Sequence, residues 1–120
     1  MDKREAAKAY LNEIQRLNTR IYIYKSETAF YKTFCPEIPR KLPDYTKQQR
    51  QAEEQRQHII EQIETWPHEQ QRSVLKSVFI EHKKIYQIAD ALYYGESTIH
   101  RTLAQALDEF YNTYLASGQD

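Results

Sequence analysis

An apolar repeat that no proline or glycine interrupts runs through the first quarter of the chain. Heptad spacing of this kind places side chains on one face of an α-helix and is typical of helices that pair with another helix. It predicts one helix over about residues 2–34, roughly 45–50 Å long at about 1.5 Å per residue. We call this repeat the heptad stripe. Its residues are spaced alternately by three and four and are Ala7, Tyr10, Ile14, Leu17, Ile21, Tyr24, Thr28 and Tyr31.

The rest of the sequence predicts an all-α fold. Glycine occurs twice and proline four times, and the alternation of apolar and polar residues that strands require is nearly absent. Three of the prolines lie between residues 35 and 45, where they end the first helix and favour an extended connector. A second helix is expected over about residues 46–64 and a third over about residues 67–81.

Residues 85–107 predict two helices joined by a tight turn, about Ile85–Leu92 and Glu96–Tyr114. Ala89 is small where the two helices approach each other, which is the pattern of a helix-turn-helix whose second helix can enter a DNA major groove. The turn position after Leu92 usually needs a left-handed backbone and holds glycine, but this chain has Tyr93 there, which would carry strain or adopt a different turn. Gly95 is expected at or near the N-cap of the second helix.

These elements predict two units. Residues 1–64 would form a helical arm of long helix, proline-rich connector and second helix. Residues 65–116 would form a three-helix, helix-turn-helix DNA-binding domain. Trp66, which precedes Pro67, is expected to pack at the junction between the two.

The side chains of the last helix that its core does not need would face the DNA. Arg101 can pair with both O6 and N7 of guanine, and Glu96 can accept from cytosine N4. The residues predicted to read bases are Glu96, Ser97, His100, Arg101 and Gln105. Those predicted to hold the phosphate backbone are Arg72, Lys76, Lys83, Lys84 and Tyr94.

The charge balance limits how such a protein would bind. Net charge is zero; residues 1–65 carry 12 basic and 10 acidic residues, and residues 66–120 carry 5 and 7. Phosphate neutralisation supplies much of the affinity of DNA-binding proteins, so the acidic half is not expected to bind strongly by itself. Local placement of charge, dimerisation or a second protein would have to contribute.

Part of the predicted helix-turn-helix resembles a known protein family. Residues 87–110, QIADALYYGESTIHRTLAQALDEF, resemble the C-terminal region of the ArpU-like regulators of phages and prophages, which are themselves similar to region four of bacterial sigma factors. The similarity covers roughly residues 70–112 and rests on Ile88-Ala89, Leu92, Tyr93-Tyr94, Ser97-Thr98-Ile99, Arg101 and Ala106-Leu107. That family tolerates tyrosine at the turn, but it usually has serine where this chain has Gly95. The resemblance implies a late-gene transcription regulator.

The sequence gives little support for a metal site or for catalysis. Four dispersed histidines and the single Cys35 lack the spacing of a metal site, and no phosphate loop or nucleophile motif is present. We therefore expect no enzyme activity, no catalytic residue, no metal and no cofactor. A lone cysteine fits a reducing cytoplasm, and no apolar run is long enough to span a membrane.

Two questions stay open at this level. The long helix could pair with its copy in a homodimer, which we favour, or it could fold back on the second helix of the same chain. The expected partner is double-stranded DNA. The alternatives are a sigma-like factor that binds RNA polymerase and a helical protein–protein adaptor without DNA binding.

Overall fold

The computed structural model describes residues 2–34 and 45–116, and all regular structure within those ranges is helical. The predicted all-α fold class is therefore confirmed. The two last helices lie within a few residues of the ranges that the sequence predicts. The helices are α1 (Lys3–Leu11), α2 (Glu13–Phe34), α3 (Thr46–Glu64), α4 (Glu69–Leu75, continued by a π-helical turn over Lys76–Ile80), α5 (Ile85–Leu92) and α6 (Glu96–Phe110, continued by a π-helical turn over Tyr111–Leu115).

The N-terminal helix is interrupted, which the heptad stripe did not predict. Asn12 separates α1 from α2. Its carbonyl oxygen accepts from the N–H of Gln15, three residues on, at 3.2 Å, whereas a regular α-helix joins residues four apart. Asp2 caps α1 by accepting from the backbone N–H of Arg4. The interruption lets α1 pack against α6 while α2 packs against α3.

The heptad stripe folds back on α3 of the same chain. Two hydrogen bonds join the N-terminal helices to α3: the Tyr10 hydroxyl donates to Gln62 at 2.6 Å, and the Arg56 guanidinium donates to Asn18 at 2.8 Å. Of the two arrangements left open by the sequence, the structure has the intramolecular one. The buried side chains of this contact are Ile14, Leu17 and Ile21 of α2 with Ala52, Ile59 and Ile63 of α3.

The largest core joins the two ends of the chain. Phe110 of α6 is fully buried beside Trp66 and Tyr10, with ring centroids 5.6 and 5.8 Å away. Trp66 lies at the junction as predicted, and its indole N–H donates to Gln71 at 2.8 Å. The same cluster contains Ala7 and Leu11 of α1, Leu75 and Phe79 of the α4 region, and Ala106 and Leu107 of α6. The unit boundary predicted between residues 64 and 65 therefore crosses a shared core.

A second, smaller cluster holds α4, α5 and α6 together. Its buried members are Val74, Ile88, Ala89 and Ile99. The core of the predicted three-helix unit is thus divided between two clusters, because the later turns of α6 and the other face of α4 pack against the N-terminal helices. In the part of the chain that the structure describes, no helix is long and apolar enough to cross a membrane.

Candidate nucleic-acid interface

A short turn positions α6 against α5. The backbone N–H groups of Tyr93 and Tyr94 both donate to the Ala89 carbonyl oxygen, which closes the end of α5. Tyr93 has φ 59° and ψ 38°, the left-handed conformation expected for this turn position, and its side chain is 94% exposed. Since a left-handed backbone is unfavourable for residues other than glycine, the surrounding contacts must hold Tyr93 in place.

Two further backbone features orient the unit. His82, just after the π-helical turn that ends α4, also has a positive φ of 56°, so a left-handed residue follows both the α4 region and α5. Gly95 occupies the N-cap of α6 with extended backbone angles, as predicted, and its carbonyl oxygen accepts from the N–H groups of Thr98 and Ile99. Because glycine has no side chain, the first turn of α6 lacks a side-chain cap.

The predicted base-reading residues share the solvent-facing side of α6. Ile99, Thr102 and Ala106 point inward and are buried. The five predicted residues, Glu96, Ser97, His100, Arg101 and Gln105, are all exposed. Burial thus divides α6 into a core face and a polar face, an arrangement that a recognition helix requires.

Arg101 is the most available cation on this face. Its side chain is exposed, and within residues 2–34 and 45–116 no hydrogen bond or ion pair engages the guanidinium. A free guanidinium keeps its fork of N–H donors for two parallel hydrogen bonds to an acceptor pair, such as a guanine edge or a phosphate.

The predicted phosphate-binding residues differ in exposure and in whether another residue already binds them. Lys76, Lys83, Lys84 and Tyr94 are exposed, although Lys83 lies 3.5 Å from a carboxylate oxygen of Glu81. Arg72 is half-buried, and its guanidinium donates to the Trp66 carbonyl oxygen at 2.7 Å. Arg72 therefore fixes the junction of α3 and α4, and only its remaining N–H groups are left for a phosphate.

The structure brings α1 to the polar face of α6, which the sequence did not indicate. The Arg4 guanidinium donates to both carboxylate oxygens of Asp108, at 3.2 and 3.0 Å, and this hydrogen-bonded pair lowers the pKa of Asp108. Beside the pair, Lys8, Glu5 and His100 line an open groove of about 330 Å³ between α1, the α4 region and α6. Lys8 is thus a further cation next to the polar face of α6. No local sequence signal marks this, because Arg4 and Asp108 are 104 residues apart.

The described residues do not assemble a metal site. Within residues 2–34 and 45–116 no group of three His, Cys, Asp or Glu side chains is placed to hold a metal ion. His68 and Glu109 approach to 3.8 Å as an exposed pair on the surface near Trp66. Cys35 lies outside the described residues.

Fold and surface together define an all-α protein with a helix-turn-helix unit formed by α4, α5 and α6. The chain belongs to a family of proteins of unknown function, DUF1492, which matches residues 40–111. The match runs from α3 to the end of α6 and leaves α1 and α2 outside it. No curated protein and no solved structure matches the chain.

Proposed function

We propose that this protein binds double-stranded DNA in the cytoplasm and regulates transcription, as the phage and prophage regulators of the ArpU-like type do. The observation that carries the proposal is the exposed face of α6 with its unengaged Arg101, held out by a tight left-handed turn. In this proposal Ser97, His100 and Arg101 contact base edges. Lys76, Lys83, Lys84 and Tyr94 contact phosphates on either side.

α1 places a basic side chain beside α6 and so offsets part of the acidic charge of the C-terminal half. Residues 66–120 are slightly acidic, but Lys8 of α1 lies on the same side of the protein as His100. The pairing of Arg4 with Asp108 also neutralises a carboxylate that would otherwise repel the phosphate backbone near α6. We propose that Lys8 adds a phosphate contact and that a second copy of the chain supplies further affinity through linked binding.

DNA binding is tested with a pool of random-sequence duplexes of about 30 bp, long enough for two half-sites one helical turn apart. The sequence enriched by the full chain is then titrated by fluorescence anisotropy. Arg101→Ala should weaken binding roughly 5- to 150-fold, because a bidentate base contact contributes about 1–3 kcal/mol. Arg50→Ala is the matched control, since Arg50 is an exposed arginine on α3. Equal affinity of Arg101→Ala and the parent protein would contradict the proposal.

The charge balance favours a second candidate, a sigma-like factor that touches DNA only within an RNA polymerase complex. A protein with zero net charge gains little non-specific affinity for DNA, so a polymerase would supply it. The discriminating experiment repeats the selection from the random duplex pool with the protein alone and with the protein plus bacterial core RNA polymerase, and then measures protection of each enriched duplex. Protection by the protein alone supports the first function, and protection that appears only with polymerase supports the second. If neither appears, the chain acts as a protein–protein adaptor.

A further inference from the structure

A hollow opens between the start of α4 and the turn that joins α5 to α6. Its volume is about 360 Å³. Glu69, Gln70 and Ser73 of α4 line one side, and Leu92 and Tyr94 line the other. Because two separate elements form its walls, the hollow is more than one face of a single helix. We call it the turn hollow.

The lining of the turn hollow is rich in hydrogen-bond acceptors and contains no basic side chain. The carboxylate of Glu69, the amide oxygen of Gln70 and the hydroxyl of Ser73 can all accept. Within residues 2–34 and 45–116, no hydrogen bond or ion pair engages these three side chains. Tyr94 adds an aromatic ring and Leu92 an apolar surface. Such a lining favours a ligand group that is cationic, planar and partly apolar.

Tyr93, which lies in the chain between two lining residues of the hollow, has a strained backbone without internal compensation. Its φ of 59° is left-handed, yet its side chain is 94% exposed and so contributes almost nothing to holding the turn. Residues kept in unfavourable backbone conformations are concentrated at functional sites. This observation is independent of the chemistry of the hollow, and it indicates that the Tyr93 ring contacts a molecule outside the chain.

Acidic and aromatic side chains continue from the turn along α5. Tyr86 is 53% exposed, and Asp90, one helical turn further on, is also exposed. In the part of the chain that the structure describes, no ion pair engages Asp90, and α5 itself contains no basic residue. Asp90 and Glu69 therefore give this surface two unpaired carboxylates. Carboxylates repel the phosphates of nucleic acids, so charge favours a basic protein segment as the partner.

From these observations we infer that the turn hollow binds an arginine side chain of a partner protein. The guanidinium stacks on the Tyr94 ring and donates to Glu69 and Ser73, while the Tyr93 ring covers the residue beside that arginine. Arginine fits better than lysine, because its planar fork can stack on an aromatic ring and donate to several acceptors at once. Arginine and tyrosine are both enriched among the residues that dominate protein interfaces. The inference does not rest on DNA binding by α6, since Arg101 takes no part in it.

The first test selects ligands for the full chain from a library of random peptides. We expect the enriched peptides to share an arginine, and replacing it by lysine should weaken binding at least about 10-fold. Glu69→Gln should also weaken binding at least about 10-fold, because the guanidinium loses its charged acceptor. Glu54→Gln makes the same change at an exposed carboxylate on α3 and should leave binding unchanged. Failure to enrich arginine peptides, or equal affinity of Glu69→Gln and the parent protein, overturns the inference.

The second test separates the contact made by Tyr93 from its place in the fold. Tyr93→Gly relieves the left-handed strain and removes the ring, so peptide affinity should fall at least about 5-fold while resistance to urea rises. Tyr22→Ala removes a tyrosine that is 72% exposed on α2 and should leave peptide affinity unchanged. If Tyr93→Gly and Glu69→Gln weaken binding to duplex DNA but leave peptide binding unaffected, the surface belongs to a DNA interface and the inference is wrong.

Discussion

Replacing Leu11 by alanine should lower the stability of the whole chain, including the helix-turn-helix unit. Leu11 is fully buried in the core that α1 shares with Phe110 of α6 and with Trp66. Leu→Ala removes three carbon atoms, about 2.4 kcal/mol at roughly 0.8 kcal/mol per buried group. The cavity left behind raises the cost to about 3–4 kcal/mol. With an m value of about 1.5 kcal/mol per molar in urea, the midpoint should fall by about 2 M.

The assay uses probes at both ends of the core. Trp66 is the single tryptophan, so its fluorescence reports the junction, while circular dichroism reports all the helices. Both transitions should shift together in Leu11→Ala. Amide hydrogen exchange at Ile99, in the smaller cluster of the helix-turn-helix unit, should accelerate as well. Gln51→Ala, an exposed change on α3, should leave all three readouts near those of the parent protein.

One result would refute this reasoning. If Leu11→Ala lost part of its helical signal early while Ile99 kept its full protection, the arm and the helix-turn-helix unit would unfold independently. The shared core would then contribute little to the C-terminal helices. The division predicted between residues 64 and 65 would in that case describe two separately stable units.

Three further changes have expected outcomes. Tyr93→Gly should raise the free energy of unfolding by about 0.5–1 kcal/mol in chemical denaturation, because glycine adopts the left-handed backbone readily and the lost side chain is exposed. Gly95→Ser should add a few tenths of a kcal/mol and raise Tm slightly, since a Cβ there meets no atom within 4 Å and the hydroxyl caps α6. The hydrogen bond from Arg4 lowers the pKa of Asp108 in the folded protein. The pair therefore stabilises the fold at a pH above the carboxyl pKa of the unfolded chain, and this stabilisation is lost as the pH falls through the pKa of Asp108 in the folded protein. Asp108→Asn should therefore flatten the loss of stability in acid, which thermal melts between about pH 2 and 6 will measure.

Two of these changes have a matched variant, and the third has a result that would contradict it. Tyr94→Gly removes a neighbouring tyrosine whose φ is not positive, so it should destabilise the turn where Tyr93→Gly stabilises it. Gly95→Ala adds a Cβ without a capping oxygen and should be less stable than Gly95→Ser. An unchanged acid profile in Asp108→Asn would show that the pair with Arg4 contributes nothing measurable, as many exposed ion pairs do.

The sequence alone determined the helical class and most of the helix positions, although not the break at Asn12. The spacing of apolar residues follows the 3.6-residue period of an α-helix, so α5, α6 and the turn between them could be predicted closely. Local chemistry also identified Gly95 as the N-cap and the position of Tyr93 as the left-handed turn. Core and exposed faces of α6 could be separated because burial follows the same period.

Only the tertiary structure decided which faces meet. A heptad pattern marks an apolar face but does not name its partner, and α3 of the same chain covers it here. The bend at Asn12, the pairing of Arg4 with Asp108 and the approach of Lys8 to His100 all depend on contacts between distant residues, which periodicity does not encode.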